Sequence, residues 1–281
     1  MDFSKKLLFL DGAMGSMLQK YGMKPGEASD TQNLINGSAV VDIHRKYIKA
    51  GADILTANTF GAYTLHHDNA DELIKAAVDH IKAAMKAENT CKLIALDMGP
   101  SGQLLEPYGD LTYEECQHVF LQAAQTGAKA GADLILIETM SDINEMKAAI
   151  SAARITGLPV IASMTFDKVG RTMMGVDIES MVAELEMTSV DAIGMNCGYG
   201  PELYEALLPQ LTKLTTLPIL VQPNAGLPEL ADGKSCYTMT PQSFAQSMKK
   251  MASLMNNKGI LGGCCGTTPE HIKKMVDLCR G

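Results

Sequence analysis

Eight short apolar runs, each separated from the next by a longer segment, limit what this chain can fold into more than any other feature. They lie at residues 7–10, 53–57, 92–96, 133–137, 159–164, 191–195, 218–221 and 259–261. Turn signals announce five of them: Gly51-Ala52-Asp53, Gly131-Ala132-Asp133, Gly157-Leu158-Pro159, Leu217-Pro218 and Lys258-Gly259. The segments between read as helices. In 71–86 apolar residues recur in steps of three and four, with His80 on the same stripe. In 112–130, Thr112 and Glu115 have capping-box spacing. Thr240-Pro241 sets a cap residue and a first-turn proline before 242–254. Buried strands alternating with helices predict a parallel sheet, because parallel strands need crossovers. An open doubly wound sheet fits the same alternation, but eight is the number that closes a barrel, so the expected fold is a single-domain (β/α)8 barrel over residues 1–281.

Composition narrows the function. With 46% hydrophobic and 20% charged residues the chain is globular, and a net charge of −8 disfavours a nucleic-acid surface. No stretch of about 18 apolar residues is present and the N-terminus lacks a signal-peptide pattern, so the expected setting is cytoplasmic, with no membrane partner. Seven cysteines in a chain of this length point to metal or thiol chemistry more than to bridges.

In a (β/α)8 barrel the active site sits where strands end and βα loops begin. The unusual residues fall there: Asp11, Asn58, Asp97, Glu138, Asn196-Cys197, Gln222-Pro223-Asn224 and Cys264-Cys265. The strands ending at Cys197 and at Cys264-Cys265 are sixth and eighth in order, one strand apart around a barrel. Three thiolates from these positions suit Zn2+, and three protein ligands leave a tetrahedral position open, the pattern of a catalytic zinc. A strained vicinal disulfide at Cys264-Cys265 or a lone reactive thiol fits the same residues. Cys91, Cys116, Cys236 and Cys279 read as small buried hydrophobes, and His66-His67 as solvated loop residues. Asp11 and Glu138 can hold an ammonium group or cap a helix. Tyr63 reads as packing, and Asn196 and Asn224 as residues that support their own turns or the zinc ligands.

The segments Leu10-Asp11-Gly12-Ala13-Met14-Gly15, Ala57-Asn58-Thr59-Phe60-Gly61, Asp97-Met98-Gly99-Pro100, Ile137-Glu138-Thr139, Gly170-Arg171-Thr172, Gly194-Met195-Asn196-Cys197, Gln222-Pro223-Asn224-Ala225-Gly226 and Gly263-Cys264-Cys265-Gly266 run from end to end of the chain. In them the sequence resembles the homocysteine S-methyltransferase family, most closely the homocysteine-binding domain of cobalamin-dependent methionine synthases. The resemblance implies a barrel with one zinc on Cys197, Cys264 and Cys265, and homocysteine as the acceptor of a methyl group. It further implies that Asp11 and Glu138 hold the substrate ammonium. Backbone N–H groups near Gly12 and Ala13 are candidates for the substrate carboxylate, and Asn196 for the substrate-binding set.

The corrinoid-carrier motif Asp-x-His-x-x-Gly is absent: Asp42-Ile43-His44 is followed by Arg45-Lys46-Tyr47, and the chain runs only sixteen residues past Cys265. The methyl group is therefore expected from outside. The favoured source is methylcobalamin on a separate corrinoid protein; S-methylmethionine, S-adenosylmethionine and betaine are the alternatives. A non-catalytic zinc- or thiol-binding sensor on the same barrel is the reading outside enzymology.

Overall fold

The computed structural model describes residues 2–231 and 234–281. All eight apolar runs are strands: β1 (Leu7–Phe9), β2 (Ile54–Thr56), β3 (Leu93–Met98), β4 (Leu134–Met140), β5 (Val160–Met164), β6 (Ala192–Asn196), β7 (Ile219–Gln222) and, after a hairpin of β8 (Pro228–Ala231) and β9 (Lys234–Tyr237), β10 (Gly259–Leu261). They form one parallel sheet in the order β1-β10-β7-β6-β5-β4-β3-β2. A parallel bridge between Leu10 and Ile54 joins the first and last strands, and the Asp53 N–H donates to Phe9 O at 2.7 Å. The sheet is a nearly closed barrel, and the chain is a (β/α)8 fold.

Helices fill the crossovers. They are α1 (Gly15–Gln19), α2 (Gln32–Ile35) and α3 (Gly37–Ala50) between β1 and β2, α4 (Ala70–Ala87), α5 (Tyr113–Ala130), α6 (Ile143–Arg154), α7 (Ile178–Glu186), α8 (Pro201–Leu214), α9 (Pro241–Leu254) and α10 (Pro269–Arg280). The capping box of Thr112 and Glu115 opens α5, and Thr240 accepts from the Ser243 N–H ahead of α9. No helix among the described residues is long and apolar enough to cross a membrane.

Side chains alternate across each strand, and here the alternation separates two cores. Leu8, Leu10, Ile54, Ala95, Leu134, Leu136, Ile161, Ala192, Leu220 and Ile260 pack together inside the barrel, with Phe3 among them. Ile94, Leu96, Ile135, Ile137, Val160, Ile193 and Val221 belong to the larger layer between sheet and helices. Two residues above the inner layer, the same parity brings in Thr56, Asp97, Glu138, Ser163 and Gln222, with Asn196 four above Ala192. The barrel interior is thus oily below and polar at the ends of the strands.

Three local expectations change. The hairpin β8–β9 was not predicted; its strands are four residues each and one starts with proline, so they read as loop, although the Asp232-Gly233 pair between them, which lies outside the described residues, is a hairpin signal in sequence. Cys91 and Cys236 are exposed rather than buried, because one sits in the turn ahead of β3 and the other on the hairpin; Cys116 is buried and Cys279 half-buried. His66 and His67 are not simply solvated: His66 Nε2 pairs with Ser101 O at 2.8 Å, and His67 Nε2 lies 3.3 Å from the buried Asp30 carboxylate.

Candidate active site and metal centre

Three thiols converge at the C-terminal ends of the strands. The sulfurs of Cys197, Cys264 and Cys265 all lie within 4.8 Å of one another, the single such cluster of metal-ligating atoms among the described residues. Cys197 Sγ is 4.0 Å from Cys265 Sγ.

The backbone around each cysteine is fixed by neighbouring strand ends. The Cys197 N–H donates to Gln222 O at 3.0 Å, the Cys264 N–H to Pro223 O at 2.9 Å, and Cys265 O accepts from the Ala225 N–H at 2.9 Å. The buried Tyr204 hydroxyl donates to Cys197 O. Cys197 itself has φ of 62°, a left-handed conformation rare outside glycine. Gly263 lacks a Cβ where Thr267 needs the room: a Cβ there would stand 2.6 Å from the Thr267 side chain. Thr267 then ties the two halves of the site together, donating to Cys264 O at 2.7 Å and accepting from the Ala13 N–H at 3.1 Å.

The sulfurs cannot all ionise freely at this spacing. Hydrogen bonds from Cys197 and Cys264 pull the Cys265 thiol down to about 3. Cys197 is pushed up to about 12: the lowering by its bond to Cys264 is outweighed by donation to Cys265 and by burial. Cys264 is held well above the ordinary thiol range by its bonds to Cys197 and Cys265. A divalent cation binding here would displace the thiol protons. Soft sulfur donors of this number fit zinc.

Beside the thiols, a cavity of about 220 Å3 is lined by Asp11, Gly12, Thr56, Asp97, Glu138 and Gln222 together with the three cysteines. That is room for a small amino acid. Asp11 is 3% exposed, and its Oδ2 accepts from the Thr56 N–H at 3.0 Å. Burial pushes its carboxyl up to about 7, against the hydrogen bonds from Thr56. Glu138 is pushed up to about 8 by burial, with the charges of Cys265 and Asp11 adding and a bond from Gln222 opposing. Burial, then Glu138 and Asp11, raise Asp97 well above the carboxylate range. Glu138 Oε2 and Asp97 Oδ1 have no hydrogen-bond partner among the described residues. A pocket with three carboxyl groups and unpartnered oxygens can accept hydrogen bonds from a cation with N–H donors.

Glu138 owes its place to an irregularity in β4. The pairing with β5 shifts register between Ile137 and Met140, and Thr139 has φ of 62°. Bulges of this kind re-aim side chains next to active sites. Asn196 holds the distortion: its Oδ1 accepts from the Thr139 N–H at 2.9 Å and from Ser163 Oγ at 2.7 Å, and its Nδ2 donates to Thr139 Oγ1 at 2.7 Å. Asn196 is fully buried and its amide is occupied.

Of the residues singled out in the sequence, the structure brings Asp11, Gly12, Ala13, Glu138 and the three cysteines to one cavity, and seats Asn196 behind Thr139. The Ala13 N–H is spent on Thr267. Tyr63 is buried, its ring edge-on to Phe120 at 5.3 Å and its hydroxyl donating to Gly99 O at 2.6 Å. Asp97 and Gln222 were noted only for lying at strand ends; the parity of their strands, counted from the inner apolar layer, is the signal that aims them inward.

A parallel eight-stranded barrel with three thiols and a carboxyl-lined cavity at the C-terminal ends of its strands has the fold of the (β/α)8 class and carries its candidate site where that class places active sites. The chain is a member of the homocysteine S-methyltransferase family, whose family model matches residues 8–279. The methionine synthases of Mycobacterium leprae (strain TN) and Mycobacterium tuberculosis (strain ATCC 25618 / H37Rv) are each 29% identical to it over 294 residues, 97% of this chain and 24% of theirs. The chain thus spans about a quarter of the length of these relatives. The homocysteine methyltransferase MmuM from Escherichia coli, in its metallated form, superposes with a TM-score of 0.82 at 24% identity, covering 99% of this chain and 97% of that one. Its apo form gives 0.77 at 25% identity, covering 98% and 96%.

Proposed function

We propose that this protein is a zinc-dependent homocysteine S-methyltransferase that takes its methyl group from an external donor and releases methionine. The observation that carries this reading is the convergence of three thiols beside a cavity lined by carboxyl groups, in a chain of this family.

Cys197, Cys264 and Cys265 would hold the metal. Bound zinc would supply the charge that keeps an incoming thiol ionised near neutral pH, where a free thiol is mostly protonated. The chain's own residues do the rest. Asp11 and Glu138, with Asp97 alongside, receive the substrate ammonium, and its charge offsets the burial that raises their carboxyls. Asn196 locks Thr139 in its left-handed conformation and so aims Glu138. Gly12, just past the end of β1, lines the same cavity, and its backbone N–H is the candidate to receive the substrate carboxylate. The oily inner layer beneath excludes water from below. Held at both ends, the substrate presents its sulfur toward the open mouth, where a methyl donor can approach in line.

The favoured donor is a methylcorrinoid carried by a separate protein. Sequence likeness to methionine synthases over nearly the whole chain supports this choice. S-methylmethionine, S-adenosylmethionine and betaine are the alternatives. The cytoplasm is the compartment that suits reduced zinc-binding thiols.

The test is metal analysis paired with turnover. Purified protein is loaded with zinc and given homocysteine with methylcobalamin, S-methylmethionine, S-adenosylmethionine or betaine, and methionine is measured. One zinc per chain and methionine from one donor are expected. Cys264→Ser should lose both, leaving two sulfurs where three are needed, while Cys236→Ser on the hairpin keeps both. Full zinc and turnover in Cys264→Ser would remove the three-thiolate site. Zinc and homocysteine binding without methionine from any donor would favour a sensor or a corrinoid partner missing from the assay.

A further inference from the structure

We propose that His44, on α3 beneath the cavity, is a positioning residue for Asp11 and thereby sets the preference for thiols that carry an amino group. This rests on the reading of Asp11 as part of the ammonium subsite.

His44 is fully buried, and neither ring nitrogen has a hydrogen-bond partner among the described residues. A buried polar group left unpaired is costly. The Nδ1 atom lies 4.0 Å from Asp11 Oδ2, about one ångström beyond hydrogen-bonding distance. That oxygen already accepts from the Thr56 N–H at 3.0 Å. One helical turn on, Tyr47 projects from the same face of α3, and its hydroxyl donates to Ala13 O at 2.8 Å and to Thr267 O at 3.3 Å. A Cβ at Gly12 would stand 2.9 Å from that hydroxyl. The stretch Asp11-Gly12-Ala13 therefore rests on α3 through two residues, one already bonded to the backbone and one poised below the carboxylate. Burial keeps the imidazole neutral, so it has one N–H to give, and the Asp11 carboxyl is the acceptor 4.0 Å away.

When an ammonium group enters the cavity, Asp11 is held as the anion. The His44 N–H closes on Oδ2 alongside the Thr56 N–H, and the other carboxylate oxygen is left directed at the ligand. His44 touches neither the substrate nor its sulfur; it acts through Asp11.

The experiment compares wild type with His44→Leu, which keeps the bulk and removes the donor, and with His44→Asn, whose amide N–H can stand near Nδ1. Thermal unfolding verifies that each variant folds. The first readout is the titration of Asp11 by 13C NMR of aspartate-labelled, metal-free protein: His44→Leu should raise the Asp11 pKa and His44→Asn should bring it back. The second is the split between homocysteine and 4-sulfanylbutanoate, the same thiol without its amino group, in the zinc-loaded enzyme. His44→Leu should raise KM for homocysteine about tenfold, leave KM for 4-sulfanylbutanoate and kcat unchanged, and be rescued by asparagine. An unmoved Asp11 titration overturns the contact. Equal weakening of both thiols makes His44 merely structural and overturns the positioning role. A wild type that treats the two thiols alike removes the ammonium subsite and this role with it, while the carbon titration still reports separately on the contact.

Discussion

Thr139 and Cys197 both hold φ of 62°, and both follow a residue whose side chain faces into the barrel, Glu138 and Asn196. Left-handed backbone at a β-branched threonine costs on the order of 1–3 kcal/mol and persists only where surroundings enforce it. The enforcement here is the Asn196 amide, so strain at one strand end is used to aim Glu138. Glu138→Gln should accordingly weaken homocysteine binding by about 1.5–3 kcal/mol, the worth of a hydrogen bond to a charged group, and leave zinc content intact; calorimetric titration alongside metal analysis reads both. Equal affinity in the variant would return Glu138 to a structural role. The carboxyls also make stability depend on pH. Asp11 at about 7 and Glu138 at about 8 lie above the values of an unfolded chain, near 4. Between these limits the folded protein binds more protons than the unfolded one, so this contribution to stability is complete below about pH 4 and is lost as pH rises through 7 and 8. The lowered Cys265 works the other way, as do His44 and His271 below about pH 6.5, against raised carboxyls that also include Asp97 and Glu145. The melting temperature of metal-free protein should fall from pH 5 to pH 8, and more shallowly in the double variant Asp11→Asn/Glu138→Gln. Parallel profiles for the two proteins would contradict this.

At the scale of elements, β6 and β7 carry the site between them: Asn196 pairs with Gln222 in register, and the next N–H, that of Cys197, donates to Gln222 O. Their close approach depends on Gly194, where a Cβ would stand 2.4 Å from Leu220 O. Backbone cannot yield as a side-chain end can, so Gly194→Ala should cost about 1–3 kcal/mol of stability and lower zinc affinity although Gly194 touches no ligand. Unchanged melting temperature and zinc affinity would show that the strands can separate without consequence. Strands and caps were legible in sequence because parallel strands buried on both faces read as short apolar runs between helical stretches. For the same reason their inward parity was not: when both faces are apolar, nothing in β3 alone says that Asp97 looks into the barrel. The hairpin escaped because its strands are four residues each and one starts with proline, and the bulge at Thr139 because no residue type announces it. His44 reads as one more member of the buried stripe of α3; its unpaired nitrogens show only once Asp11 is placed above it.

For the molecule as a whole, the division of labour is that of a rigid barrel and a reactive rim. The inner apolar layer, capped below by Phe3, and the layer beneath the helices pack the strands together over the whole barrel. The cysteine cluster lies on loops after β6 and β10, and three half-buried sulfurs open toward the cavity. The three cysteines were legible as a group because the order of strands in a closed barrel brings the sixth and eighth ends close; their geometry was not, since it depends on Cys197 adopting positive φ. The central proposal is that these three sulfurs hold zinc with one position left for the substrate sulfur. X-ray absorption at the zinc edge counts sulfur neighbours at about 2.3 Å. Three sulfurs and one lighter donor are expected in the protein alone, becoming four sulfurs when homocysteine is added. Four sulfurs before homocysteine is added, or a first shell that homocysteine leaves unchanged, would contradict an open position for the substrate.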